Sequence, residues 1–221
     1  MPQILKVDTS DPDLWENIIK KTQKVLKGGG VIAFPTDTFY GLGADPYNKD
    51  AVNKIYEIKN RDRNKPLLLL IDSVVKLDKL VEEPSEASTK LIDTFWPGPL
   101  TMLFKPKPSI PEYITDDLIG IRLPGNSITR KLLSALNHPL TAPSANLGGE
   151  DPATSAEHVK DCLGNKVDLI LDAGICKGGE PSTLVDTTKN PVRLIRAGAI
   201  SFTNIQAVSY THLTLPTNRE V

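Results

Sequence analysis

Apolar and polar positions alternate along this chain with two periods, one of nearly four residues and one of short unbroken runs. Residues 9–30, TSDPDLWENIIKKTQKVLKGGG, predict a capped amphipathic helix. Ser10 or Asp11 can cap it, Pro12 suits its first turn, and Gly28 to Gly30 end it, with Leu14, Ile18, Val25 and Leu26 as its apolar face. VIAF (31–34) predicts a buried strand that stops at Pro35. A second helix is expected at about 50–59, with Val52, Ile55 and Tyr56 on one side, and PLLLLI (66–71) as the next strand. Two helical patterns follow at 74–81 and 85–95, and WPGP (96–99) closes them, since no helix continues through it.

The second half is richer in strands: LTMLF (100–104), GIRL (120–123), PLTA (139–142), VDLILD (167–172), STLVD (182–186) and VRLIR (192–196). Helices fit near 128–136 and 155–162. Alternating strands and helices, with several short strand-to-strand links and no repeat or linker, predict a single α/β domain with a mixed parallel and antiparallel sheet. After ISFTNIQAV the periodicity stops. The domain is therefore expected over 1–208, with 209–221 read as a tail foreign to the fold, at a point where a longer chain would continue.

Composition narrows the function classes. The formal net charge is −1, so nothing global draws the chain to nucleic acid or to an anionic membrane, and polyanion binding needs local clusters. The longest apolar run is far too short to span a bilayer, and the N-terminus lacks the apolar core of a signal peptide. Cys162 and Cys176 form no CxxC and no disulfide framework, which fits a reducing cytosol. Three histidines without metal-type spacing make a protein-held metal an unexpected feature.

Four stretches carry candidate chemistry. In KNRDRNKP (59–66) Lys59, Arg61, Arg63 and Lys65 occupy alternate positions. If the segment is extended they share one face, where neighbouring like charges repel by about 2.4 kcal/mol at an effective dielectric of 20. A solvated rim is the plainer reading of such a run; a phosphate clamp is the sharper one. FPTDTFYGLGADP (34–46) offers Thr36, Asp37 and Thr38 at a strand exit, with Gly41 and Gly43 admitting a ligand to the backbone. It matches neither the phosphate-loop nor the dinucleotide fingerprint, and a turn with capping threonines explains it equally well. TAPSANLGG (141–149) places Ser144 and Asn146 past a strand end, without the Asp–His pair of a serine hydrolase. GGEPSTLVD (178–186), with RLIRAG (193–198), brings Ser182 and Arg196 to strand ends, and GIRLPG brings Arg122. Each arginine could equally pair with a structural carboxylate. All four stretches supply donors for a nucleotide or a carboxylate, and none supplies a nucleophile or a metal cage. Together they favour phosphoryl or nucleotidyl transfer through positioning and charge stabilisation.

In order along the chain, PTDTFYGLGAD, KIYEIKNRDRNKPL, WPGPLT, GIRLP, APSANLGG, PSTLVD and RLIRAG resemble the YrdC-like family, the threonylcarbamoyl-AMP synthases, over about residues 11–207. The resemblance implies an α/β domain with a twisted mixed sheet around a basic concave cavity. It implies an enzyme that converts L-threonine, bicarbonate and ATP, with a divalent cation such as magnesium, to threonylcarbamoyl-AMP and pyrophosphate. Partner proteins would then use that product to modify a tRNA adenosine. By this likeness Thr36, Tyr40, Arg122 and Ser182 would bind threonine, while Lys59, Arg61, Arg63 and Lys65 would carry the catalytic charge. ATP would be held by Lys59, Arg63, Ser144, Asn146 and Arg196, and no residue is assigned to a metal. Three other readings compete: a carbamoyl-adenylate-forming domain of hydrogenase-maturation type, a non-catalytic RNA-binding module, and an inert ribosome-associated protein. Weak direct contact with tRNA is compatible with the main reading. A cytoplasmic location is expected, and no membrane contact.

Overall fold

Asp11 caps the first helix, α1 (Pro12–Lys27), accepting from the Leu14 N–H at 3.0 Å, with Pro12 at the position where a missing N–H costs nothing. Its buried face is Ile18, Ile19, Thr22 and Leu26, while Leu14 stays at 37% exposure. Thr22 enters the core because its hydroxyl is spent on the Ile18 carbonyl at 2.8 Å. The computed structural model describes residues 2–63, 67–115 and 117–210, and the expected tail beyond Tyr210 lies outside that range.

Among the described residues ten strands form two mixed sheets rather than the single sheet expected. The smaller runs β1 (Gln3–Lys6), β8 (Leu169–Asp172), β2 (Ile32–Phe34), β3 (Gly41–Gly43). The larger has the order β10 (Arg193–Arg196), β9 (Thr183–Asp186), β5 (Leu100–Phe104), β6 (Ile119–Arg122), β4 (Leu68–Leu70), β7 (Leu140–Thr141). The described residues also form helices α2 (Lys49–Lys59), α3 (Glu86–Phe95), α4 (Ser127–Leu136), α5 (Ala156–Leu163) and α6 (Phe202–Ser209). The pattern at 74–81 yields a 3-10 turn over Val74–Lys79 instead of an α-helix. Its buried Leu77 and Leu80 stand three apart, the spacing at which a 3-10 turn eclipses its side chains.

Alternation distributes these elements between two cores. Ile32 and Phe34 of β2 face Ile18, Leu26, Leu132 and Leu136 of α1 and α4. Ala33 faces the other way, into a larger core with Val52 and Ile55 of α2 and Val159 of α5. The same larger core takes Leu69, Met102, Ile121 and Val185 from the six-stranded sheet, and Ile205, fully buried on α6.

Strand β3 joins the sheets. It pairs antiparallel with β2 on one side, and on the other it runs beside 141–145. There the Leu42 N–H donates to Pro143 O at 2.8 Å, the Thr141 N–H to Ala44 O at 3.1 Å and the Ala145 N–H to Tyr40 O at 2.8 Å. Pro143 has no N–H, so the ladder is interrupted there, and the seam counts as a break between sheets. Gly43 must be glycine, because a Cβ there would lie 2.8 Å from the Phe34 ring and 2.9 Å from Ile32. Thr141 reinforces the seam: its buried hydroxyl accepts from the Ala44 N–H at 2.8 Å and donates to Leu42 O at 3.0 Å.

Replacing Thr141 by Val keeps the shape but leaves the Ala44 amide without its acceptor, at a cost of about 1–3 kcal/mol. Urea denaturation should show that loss with an unchanged slope.

Candidate active site

The exposed face of the six-stranded sheet is the floor of a cavity of about 800 Å³. Side chains alternate across a strand, so the residues between those buried in the core line it. β4 supplies Leu68 and Leu70, β6 Gly120 and Arg122, β5 Thr101 and Leu103, and the chain entering β9 supplies Ser182 and then Leu184. Register sets them in rows: Leu70 pairs with Arg122, Thr101 with Leu184, and Leu184 with Arg196. The walls are the Thr36–Gly41 loop, Arg61, and the turn at Pro143 and Ser144. Three arginines line the cavity, and no Asp, Glu, His or Cys does so among the described residues.

Arg122 is 3% exposed. Its Nε donates to Gly98 O at 3.1 Å, Nη1 to the Thr38 hydroxyl at 3.4 Å, and Nη2 forms an ion pair with Asp37 Oδ1. Burial works against its charge, as does nearby Arg196, while Asp37 supports it. A guanidinium has five N–H donors. Three are engaged among the described residues, which leaves one donor on each terminal nitrogen to meet a carboxylate.

Ser182, 3% exposed, shares a 2.8 Å hydrogen bond with the Thr101 hydroxyl and accepts from Arg196 Nη2 at 3.2 Å. Arg196, on edge strand β10, also donates to Ser182 O at 2.7 Å. Burial and then the field of Arg61 lower its pKa from the usual arginine value. The Thr36 hydroxyl donates to Phe39 O at 2.7 Å and accepts from the Thr38 N–H at 3.2 Å, folding the loop into a hydroxyl-lined bend. Tyr40 is fully buried, and its hydroxyl donates to Gly174 O at 2.8 Å. Burial raises its pKa, so it acts as a neutral wall.

The cation row does not form the extended ladder its spacing predicts. Lys59 is the last residue of α2, and Asn60 closes the helix in the left-handed conformation at φ 45°. Helical side chains turn by about 100° per residue, so alternate positions there share no face. Lys59 points inward at 6% exposure, and its three donors meet Ser144 O at 2.5 Å, Asn146 Oδ1 at 2.7 Å and Asn146 O at 3.0 Å. Asn146 in turn accepts from the Ser144 hydroxyl at 2.6 Å and donates to Glu150 O at 2.6 Å. The carbonyl of Lys59 lies so close to Gly148 that a Cβ there would sit 2.5 Å from it. Lys59 and Asn146 thus stand behind the Ser144 turn, not on the cavity lining. Arg63 is on the outer surface of α2, donating to Asn53 Oδ1 at 2.6 Å with its guanidinium 5.4 Å from the centre of the Tyr56 ring. Lys65 lies outside the described residues. Of the described row, only Arg61 lines the cavity.

The cavity therefore gathers Thr36, Tyr40, Arg61, Arg122, Ser144, Ser182 and Arg196 from the expected set. Thr38 and Thr101 join them unassigned, and Asp37 stands behind the lining as the partner of Arg122. Thr101 had one visible signal, a lone hydroxyl inside the apolar run LTMLF. The partner of Asp37 stands 85 positions away, beyond the reach of any local pattern.

A family model described as telomere recombination, the Sua5, YciO and YrdC domain, matches residues 24–198, and the chain belongs to that family. It is 37% identical over 185 residues to a threonylcarbamoyl-AMP synthase of Pyrococcus abyssi, covering 83% of this chain and 54% of the relative. It is 34% identical over 198 residues to a putative threonylcarbamoyl-AMP synthase of Methanocaldococcus jannaschii, covering 90% of this chain and 94% of that one. A crystal structure of P. abyssi Sua5 complexed with L-threonine superimposes with a TM-score of 0.85 at 34% identity, over 94% of this chain and 60% of that protein. The chain thus spans little more than half of the longer relative.

Burial lowers the pKa of Lys59 from 10.5 to about 8, with Arg61 adding to the shift. The unfolded chain then binds the extra proton between about pH 8 and 10.5, so this group makes stability rise with pH across that window. Lys59→Met should lack the rise. Chemical denaturation of both proteins at pH 7.5 and pH 10 should show the stability difference shifting in favour of the wild type at the higher pH.

Proposed function

We propose that this chain joins L-threonine, bicarbonate and ATP into threonylcarbamoyl-AMP and releases pyrophosphate. The observation that carries this reading is one cavity holding both kinds of anion site. A buried arginine with two uncommitted donors is suited to an amino-acid carboxylate. Arg61 and Arg196 are suited to phosphates. The named relatives and the threonine-bound structure of P. abyssi Sua5 support the same assignment.

In this reading Arg122 grips the threonine carboxylate, with Thr36 and Ser182 supplying hydroxyl contacts beside it and Tyr40 fixing the wall. Arg61 and Arg196 hold the ATP phosphates, and Ser144 meets the nucleotide. Lys59 and Asn146 act by holding Ser144 in place. Arg63, bound to Asn53 and Tyr56, leaves the clamp. The threonine amine takes up bicarbonate as a carbamate with loss of water, and a carbamate oxygen attacks the α-phosphorus as the bond to the bridging oxygen breaks and pyrophosphate leaves. Both reactants are anions, so preorganised cations that neutralise the phosphates lower the barrier directly.

The divalent cation, magnesium in this reading, enters as part of the ATP substrate. The lining offers no carboxylate, imidazole or thiol to hold it, and no group of three such residues forms a cage among the described residues. The product would pass to partner proteins that modify a tRNA adenosine, with weak tRNA contact at most. The supply of ATP and tRNA places this work in the cytosol, and among the described residues no helix is long and apolar enough to cross a membrane.

Pyrophosphate release should require threonine and bicarbonate together. Release independent of threonine would point instead to a carbamoyl-adenylate former, and no turnover at all to a binding module. Arg196→Ala should cost about ten- to a hundredfold in kcat/KM for ATP, the worth of one charge-assisted hydrogen bond.

A further inference from the structure

We propose that Asp37 is a specificity residue that sorts the two substrates between the two ends of the cavity by cancelling the charge of Arg122. The inference rests on the two-substrate reading above and concerns a residue that reading leaves without a role.

Two of the cavity's arginines are held in opposite ways. Arg122 is paired with a carboxylate. Arg196 is held by the neutral oxygens of Ser182, and among the described residues no carboxylate lies within ion-pair reach of it. Asp37 spends its charge on Arg122: Oδ1 takes the guanidinium, and Oδ2 is buried with no hydrogen-bond partner among the described residues. A Cβ at Gly125 would come within 3.2 Å of that oxygen, so the glycine makes room for the carboxylate.

Long-range attraction follows net charge, whereas the grip on a ligand follows donors. The Asp37–Arg122 pair offers two donors without net charge. That suits an amino-acid zwitterion, which has a carboxylate to be gripped but no net charge of its own. The Arg196 end offers donors together with charge, which suits a triphosphate. Without Asp37, Arg122 becomes a buried cation with no counterion, and the anion that relieves it best is the polyphosphate. Asp37 excludes the wrong substrate from the amino-acid end; discrimination of this kind comes from an unfavourable interaction as much as from a favourable one.

The test uses inorganic tripolyphosphate, an unreactive mimic of the ATP phosphates, in the pyrophosphate-release assay. With the wild type it should compete with ATP and leave the KM for threonine unchanged. With Asp37→Asn it should compete with threonine as well, raising that KM at least tenfold, and ATP itself should become inhibitory at high concentration. Asp37→Glu should restore the wild-type pattern, which a loss of packing alone would not predict. An active Asp37→Asn protein whose threonine KM ignores tripolyphosphate overturns the proposal.

Calorimetric titration of threonine into the wild type, with and without saturating tripolyphosphate, decides the matter if the variant does not fold. Affinity should agree within about twofold, and a tenfold loss overturns the proposal. A wild type that binds both ligands but shows no threonine-dependent turnover would sink the adenylation reading alone.

Discussion

Strands β5 and β6 of the larger sheet give one face to the core and the other to the cavity, because successive side chains alternate. Ile121 and Met102 pair across β6 and β5 and are fully buried, while their neighbours Arg122 and Thr101 face the cavity. A slip of one residue would put a guanidinium into the apolar core and a methionine on the cavity floor. The core therefore enforces the site. The free energy that packs Leu69, Ile121, Met102 and Val185 also fixes, to within a side chain's freedom, where the arginine and the hydroxyls stand. The seam made by β3 and Thr141 then ties the Thr36–Gly41 loop to the same frame.

Two cations are buried near this floor, and they are accommodated by different chemistry. Lys59 can give up its proton, and its environment uses that freedom: three neutral oxygens receive it, and its pKa falls to about 8. A guanidinium stays charged throughout the range in which proteins are folded. Burying one without a counterion is far costlier than burying a lysine that can neutralise itself. That difference explains why the carboxylate of Asp37 is committed to Arg122 and not to Lys59. Arg196 needs no counterion, because it stands on an exposed edge strand where water shares the burden. The division of labour at the site thus follows from what each cation can tolerate.

The sequence was most legible where an apolar run is bounded on at least one side by Pro or Gly. VIAF, LTMLF, GIRL and STLVD are strands within a residue of their expected limits, because burial and termination point the same way. Strand β1 escaped notice since QILK has two apolar residues and lies largely exposed. Strand β3 is the tripeptide GLG, where close approach to Phe34 demands glycines that otherwise signal a loop. Helix α6 lay just before the change in pattern near the C-terminus and was obscured by it. The cation row misled for a definable reason. Its alternation was real, but period two has meaning only in a strand, and the row begins on the last turn of a helix. What brings Lys59 to Asn146 is the packing of α2 against the Ser144 turn, and that is a tertiary fact.

Composition has the same blind spot as local pattern. The chain carries 26 basic and 27 acidic residues, a balance that argues against polyanion binding if charge acts as a total. It does not act so. At physiological ionic strength exposed charges are screened beyond about 8 Å, so a ligand in the cavity feels the groups that line it and their immediate partners. There the described lining has three arginines and no acid, and one carboxylate stands directly behind it. A protein of almost no net charge can thus line a pocket with arginines, provided most of its acids are placed elsewhere. The single carboxylate behind Arg122 offsets the charge of one of those arginines. In the assignment proposed above, selectivity between a zwitterion and a polyphosphate depends on where one negative charge is placed, which no count of residues can register.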